Sequence, residues 1–582
     1  MKKKLTLVLA ILLVFAMFAG CGGGGTQPTK APDDDTVVPT EPSGETAPPE
    51  EDDSPYNFAV GKFEKNEKGW ATEPYDYELP LCTTNEVLEF WTVVWTPMYI
   101  PEEGYQAMPQ AIEHRELTGV NVEYVIAPTE TVRETYSILQ ASDDLCDIMC
   151  GATAYTSETP EKNIEDGWWV NLYDYMDYMP NYIYQATFDP DDDTTFYTVF
   201  YRENIIPAFY ALSDVAFIGS NYMARGDWLR ELGLSNETII TWDDVHNMLT
   251  LMKQNYCEHP LPLFSTIDMA GNYAFNSYDT LPYINPFGVG PQYVVDGQVR
   301  LANMNENDKA LMTRLNQWYN EGLIDPGWAG YDNNTLFTDK IVTSQVGYVY
   351  MSPGEVAGYE QATTDDPDCE WVPIHKPLLE PNQTVHCGGD TTKFFYGSAI
   401  VSPTCENIEL AITWLDWRYS PSGSFIVSYG PEGVLWERDE AGKIVATEPG
   451  AYPEGLAFAW ACMFYGLNSL AEPGLEHTAR KYIIPGGDRL LAIHYFWDDY
   501  NYDGAYKWPA GVKLTQEQTD EINSLQSDVV TYISENYSSF LDNSKPLSEW
   551  DSYVEGLKKL NIDRIIEIFQ EAYDTYIDSL KG

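Results

Sequence analysis

Residues 86–95 read EVLEFWTVVW and residues 144–155 read DLCDIMCGATAY, and what lies between these two runs decides the fold. The first run has the β-branched and aromatic composition of a strand. A helix-like stretch at 107–117 follows, then a second strand candidate at 120–126 and another helix at 131–142. The closing run places Ile148 and Met149 on a short buried strand ending at Gly151. Strand, helix, strand, helix, strand is the order of an α/β layer with a mostly parallel sheet. Ligands of such sheets bind outside the carboxyl ends of the strands. That directs attention to 95–99 and 152–156, and singles out Trp95, Thr96 and Tyr155 as candidate ligand contacts.

The carboxyl terminus reads as helical. Thr515 with Gln518 forms a capping box before a helix running to about Asn536. Ser548 with Asp551 repeats that pattern in SEWDSYVEGLKKL, where Trp550, Tyr553, Val554 and Leu557 share one face. A final helix from Asp563 aligns Ile565, Ile568, Phe569, Ala572, Tyr576 and Leu580 in an apolar stripe suited to core packing.

The amino terminus has a different purpose. Lys2, Lys3 and Lys4 precede an apolar core from Leu5 to Phe18. A spanning helix needs about twenty residues, so this shorter run reads as a secretory signal peptide, residues 1–20. The segment Phe18-Ala19-Gly20-Cys21 resembles the lipobox of bacterial lipoproteins, with Phe18 where that family usually carries Leu. The resemblance implies cleavage before Cys21 and lipidation of its sulfur. Residues 22 to about 55 are Gly, Pro, Thr, Asp and Glu with few large apolar side chains, so 21–78 is expected to be the lipidated cysteine and a disordered acidic stalk.

Net charge removes whole classes of function. At −57 over 582 residues the chain lacks the basic footprint that phosphate contacts require, and it does not read as a nucleic-acid binder. An anionic membrane surface would repel it, leaving the lipid on Cys21 as the tether. Eight further cysteines (82, 146, 150, 257, 369, 387, 405 and 462) are scattered and form no C-x-x-C pair, so buried thiols are expected rather than a zinc site, with one or two disulfides as the alternative.

Six segments in order carry a family resemblance. They are DLCDIMCGA (144–152), EDGWWVNLYDYMDYMPNY (165–182), YMARGDWLRELGLSNETIITWDDVHNML (222–249), WYNEGLIDPGW (318–328), YGPEGVLWE (429–437) and LSEWDSYVEGLKKLNIDRIIEIFQEAYDTY (547–576). Together they resemble the extracellular solute-binding lipoproteins of ABC importers, especially the large sugar-binding type of Gram-positive bacteria. The resemblance implies an α/β, two-lobed, periplasmic-binding-protein-like fold with the ligand cleft between the lobes and a helical carboxyl terminus. Lobe one would be 79–210 plus 395–480, and lobe two 211–394 plus 481–582. The chain should cross between lobes near 207–214, near 393–397 just before the strand GSAIVSP, and near 475–490. Many large members carry a calcium-loop-like insertion after the helix ending here near Lys253, whereas this chain reads KQNYCEHPLPL, so no metal is expected there. Asp189, Asp191 and Asp193 in FDPDDDTTFY lack the Gly and Glu of a calcium loop and read as a solvated acidic loop.

No enzyme signature stands out. The seven histidines form no metal spacing, and there is no G-x-S-x-G elbow and no P-loop. Aromatic content is the informative feature: 14% of residues, with 17 Trp and 42 Tyr. The C–H face of a pyranose lies on an aromatic ring while its hydroxyls bond to carboxylates and amides. By position, Asp214 just past the first crossing, Trp436 in YGPEGVLWE and Trp497 in HYFWDDY join Trp95, Thr96 and Tyr155 as candidate contacts. The expected protein is a monomeric, non-enzymatic carbohydrate receptor, with no cofactor. It is lipid-anchored on the extracellular face of a Gram-positive-type cell membrane, and its partner is an ABC permease. A receptor for peptides or another polar solute, and a secreted glycan-active enzyme, are the alternatives.

Overall fold

The computed structural model describes residues 54–581 apart from 95–96, 217, 263–274, 281–287, 329–333, 388–392, 448–457 and 467–471. Its strands are β1 Val87–Val93, β2 Asn121–Ala127, β3 Ile148–Cys150, β4 Phe209–Ser213, β5 Asn221–Arg225, β6 Gln292–Val295, β7 Gln298–Leu301, β8 Tyr348–Met351, β9 Trp371–Pro373, β10 Phe394–Val401, β11 Trp436–Arg438, β12 Ile444–Ala446 and β13 Gly474–Glu476.

Six of them form one sheet in the order β13-β4-β10-β3-β1-β2. β1 pairs in parallel with β2 and β3, and β13 in parallel with β4. β10 runs antiparallel to both its neighbours, β3 and β4. Every strand of the sheet but β10 therefore points the same way, and β1, β3, β4 and β13 end on one edge. The expected strand, helix, strand, helix, strand order is present, with helices at Pro109–Thr118 and Val132–Ser142. Met149 and Ile148 are fully buried on β3. Gly151 closes that strand at φ 73°, where a side chain would strain the backbone and meet the Tyr155 ring. The apparent strand GSAIVSP begins earlier than its sequence suggests, because Phe394 already pairs with Leu212.

A second, three-stranded sheet has the order β8-β5-β9, and β6 with β7 and β11 with β12 form hairpins. Two large cores accompany these layers. One gathers Phe90, Ile148, Phe209, Trp414, Trp417 and Phe464; the other gathers Trp242, Leu311, Trp318, Tyr537, Trp550 and Ile568. The first core also takes in Ala59 and Tyr77, and Tyr56 bridges to Cys82, so residues 54–78 are folded onto it and are not part of the expected disordered stalk, because their aromatic side chains have apolar surface to bury.

The carboxyl-terminal helices are Gln516–Leu541, Trp550–Lys559 and Ile562–Ser579. The Thr515–Gln518 capping box is present, and its helix runs five residues past Asn536 because Tyr537, Phe540 and Leu541 are buried. Ser548 and Asp551 do not cap. Residues Leu547–Glu549 make a 3₁₀ turn, so the following helix takes Glu549 as its cap and no side chain bonds there. The apolar stripe of the last helix buries Ile565, Ile568, Phe569 and Ala572, while Leu580 is exposed. Among the described residues no helix is long and apolar enough to cross a membrane.

Candidate functional site

Beyond the carboxyl ends of β4 and β13 lie Asp214 and His477. The two strands pair in register, Ser213 opposite Glu476, which delivers the next residue of each to the same place. The pairing continues past the strands: the Asp214 amide donates to the Glu476 carbonyl at 2.9 Å, and the Thr478 amide donates to Asp214 Oδ1 at 3.1 Å. Asp214 Oδ2 stands 3.6 Å from His477 Nδ1. On the other side of the imidazole, Ser424 Oγ is 3.0 Å from Nε2, and the His477 amide donates to Ser428 Oγ at 2.8 Å.

The helix Pro421–Tyr429 supplies that second wall. Ser420 caps it and Pro421 opens it, and one turn of spacing places Ser424 above Ser428 and Phe425 above Tyr429. Phe425 and Tyr429 stack at 4.5 Å between centroids. Trp436 meets Phe425 edge-on at 5.4 Å and donates from Nε1 to the Gly430 carbonyl at 2.8 Å. His477 lies 6.4 Å from Phe425 and 6.3 Å from Tyr429, measured between ring centroids. Asp214 and His477 keep 33% and 30% of their side-chain surface open.

The electrostatics leave this corner with an unneutralised carboxylate. Burial lowers the His477 pKa, with Asp214 opposing and Arg480 assisting that shift, so the imidazole is neutral. Glu476 is fully buried beneath it; burial would raise its carboxyl, but Lys481 and Arg480 override that effect and hold it low. Those two cations stand 2.8 and 2.7 Å from Glu476. They are committed to Glu476, and Asp214, held by the Thr478 amide and beside the His477 imidazole, keeps 33% of its side chain open.

Ser424, His477 and Asp214 stand in the order of a hydrolase triad, but the geometry does not perform that chemistry. Ser424 is 1% exposed within a helix, where no substrate carbonyl reaches Oγ. Its hydroxyl orients the imidazole instead.

The positions singled out in the sequence fare differently. Asp214 and Trp436 are brought to one corner, joined through His477, Phe425 and Tyr429. Tyr155 packs with 5% exposure against Trp91, at 5.8 Å, and Tyr136, at 6.2 Å, and presents little surface. Trp497 has no exposed face: it is 0% exposed among Ile218, Met223, Trp371 and Leu490 in a core of its own. Its helical position, Gly487–Asp498, points it inward. Trp95, Thr96 and Cys21 lie outside the described residues. No motif in the sequence marks His477; its place within the third expected crossing, just after β13, is the signal available for it.

The acidic loop is built into the fold rather than solvated throughout. Asp192 caps the helix Asp193–Val199 through the Thr195 amide and receives Lys393 Nζ at 3.0 Å. Lys393 directly precedes β10, and its carbonyl accepts from the Ser213 amide at 2.6 Å. Ser213 Oγ in turn lies 2.8 Å from Thr478 Oγ1. Among the described residues no group of His, Cys, Asp and Glu is arranged to hold a metal ion.

Comparison with known proteins bears on this arrangement. No protein-family model matches the chain. A solved extracellular solute-binding protein of Bifidobacterium longum subsp. infantis superimposes with a TM-score of 0.66 at 15% identity, covering 85% of this chain and 99% of that one. The chain has the fold of the solute-binding proteins. Its two lobes are those of this fold. The ABC-transporter substrate-binding protein FusA of Streptococcus pneumoniae, solved with kestose, superimposes with a TM-score of 0.61 at 20% identity, over 85% of this chain and all 100% of that one. In sequence the chain is 24% identical over 398 residues to the fructooligosaccharide-transporter protein FusA, spanning 63% of this chain and 67% of the relative. The alginate-binding protein AlgQ2 gives a TM-score of 0.61 at 18% identity, over 84% and 99% of the two chains.

Proposed function

We propose that this solute-binding protein is the substrate receptor of an ABC importer, capturing an extracellular carbohydrate between its lobes and passing it to the permease without covalent chemistry. The observation that carries the reading is the similarity to FusA in both sequence and fold, joined to the open Asp214–His477 corner beside a stacked aromatic wall. Ser424, 1% exposed behind His477, favours binding over turnover at this corner.

In this reading lobe one is 79–210 plus 395–480 and lobe two 211–394 plus 481–582, and β4, β10 and β13 are the crossings. Their adjacency in the sheet, with Ser213 bonded to Lys393 and Thr478, suits a hinge of three coupled segments. A ligand closes such a hinge only if it binds the closed form more tightly than the open one. The receptor works as a monomer on the outer face of the cell membrane, held by lipid on Cys21 after removal of residues 1–20. Replacing Cys21 with Ala should move the protein from the membrane fraction to the medium.

A thermal-shift screen over a glycan panel tests the reading. A ligand that binds only the folded state adds about 2.7 kcal/mol at a hundred times its dissociation constant. Saturable shifts with intact oligosaccharide recovered are the expected result. Turnover of labelled oligosaccharide, or shifts from peptides alone, would overturn it.

A further inference from the structure

Asp214 Oδ2 and His477 Nδ1 stand 3.6 Å apart, beyond hydrogen-bond length, each partly open to solvent. The surroundings fix what each atom offers. A carboxylate faces an N–H more favourably than a lone pair, so Asp214 selects the tautomer with its proton on Nδ1. Nε2 then accepts from the Ser424 hydroxyl, 3.0 Å away. The Thr478 amide holds the other oxygen of Asp214 at 3.1 Å. The corner thus presents one acceptor and one donor side by side, both oriented before any ligand arrives.

Two neighbouring sugar hydroxyls have the matching pattern and a similar spacing. We propose that Asp214 Oδ2 and His477 Nδ1 together bind a vicinal diol of a neutral sugar, the carboxylate accepting from one hydroxyl and the imidazole donating to its neighbour. Phe425, half-buried and stacked on Tyr429, stands beside the pair to meet the apolar face of the ring. The neutral class follows from the charges. Arg480 and Lys481 are paired with Glu476, and Asp214 repels a second carboxylate, so among the described residues an acidic sugar finds no uncommitted counter-ion at this corner. Ser424 is a positioning residue and touches no ligand.

This assignment rests on the carbohydrate reading above, and its test separates the two. Titration calorimetry is run on the wild type with kestose, cellotriose, mannotriose and trigalacturonate, and with any further glycan that the thermal screen finds. The expected result is binding of a neutral oligosaccharide that weakens at least about tenfold in His477→Ala and in Asp214→Asn, since hydrogen bonds to charged or fixed partners carry that much. Asp214→Asn keeps the shape of the side chain and serves if the alanine variant folds poorly. At least one monodeoxy analogue should bind His477→Ala no more weakly than it binds the wild type, a coupling that a merely structural role would not produce. Ser424→Ala should show an intermediate loss with the same deoxy coupling. If the wild type binds a glycan and both variants match it within about twofold, the pair is not the contact, although the receptor reading stands. Preference for trigalacturonate overturns the neutral class. Failure of every glycan to bind overturns both.

Discussion

Asp416 Oδ1 accepts a hydrogen bond from the Tyr182 amide at 2.7 Å, in the first turn of the helix Pro180–Thr187. Its other oxygen accepts from Tyr77 Oη and Asn181 Nδ2, both at 2.8 Å, and from the Asn181 amide at 3.2 Å. The carboxylate is 0% exposed, so no water replaces it. Asp416→Ala strands several donors at once, and should lower unfolding stability by about 3 kcal/mol or more. Urea denaturation of the two proteins checks this. A loss below about 1 kcal/mol would mean the donors find other partners.

His114 gives a pH dependence of known sign. Burial, with Arg418 adding to it, lowers its pKa to about 3, and its Nε2 has no hydrogen-bond partner. The unfolded chain takes up a proton near pH 6.5 that the folded chain refuses. The contribution to stability is therefore full above about 6.5 and lost as pH falls toward 3, at about 1.4 kcal/mol per unit. His114→Gln should flatten the wild-type slope between pH 6.5 and 4.5, read from denaturant midpoints. An unchanged slope would show that His114 is not the titrating group.

Thiol accessibility distinguishes packed cysteines from bridged ones. All eight cysteines among the described residues are free, six of them buried and only Cys257 and Cys369 partly open. Burial pushes Cys257 up to about 12 and raises Cys369, so even these two are poor nucleophiles at neutral pH. A thiol reagent should label the native protein slowly and at no more than these two sites, then label all eight after denaturation without reductant. Fewer than eight would reveal a disulfide.

A band of contacts joins residues 159–201 to 507–576. Lys507 Nζ donates to Thr194 Oγ1 at 2.7 Å, the Thr159 amide donates to Gln516 Oε1 at 2.8 Å, and Lys513 lies 4.9 Å over the Tyr201 ring. Tyr197 meets Tyr576 edge-on at 5.9 Å. If the lobes divide as proposed, this band ties them without ligand. Each polar contact is worth only about 0.2–1 kcal/mol, so Lys507→Ala with Lys513→Ala should shift the open population a few-fold. Small-angle scattering of the ligand-free protein should record a larger radius of gyration. An unchanged radius would make the band incidental to closure.

Elements whose cause is local were legible without coordinates. The first three strands and two helices follow from local composition and their order, and β1 and β2 pair residue by residue from Val87 with Asn121 to Val93 with Ala127. Thr515 and Gln518 cap as read because a capping box needs only four consecutive residues. Ser548 and Asp551 carry the same spacing and fail, because the 3₁₀ turn at Leu547–Glu549 delays the helix past the serine. Trp497 illustrates the opposite limit. An aromatic close to an expected crossing can face a cleft or a core, and packing against Trp371 and Leu490 settles it for the core.

By itself, the sequence determined that this chain is acidic, builds an α/β layer and ends in amphipathic helices. Each of these depends on composition or on neighbours a few residues apart. Only the tertiary structure decided that Asp214 stands against His477, with Ser424 behind the ring and Phe425, Tyr429 and Trp436 beside it. Those residues come from three distant parts of the chain. They meet because β13 enters the sheet beside β4 in one register, and a slip of β13 by one residue would turn His477 away from Asp214 to the other face.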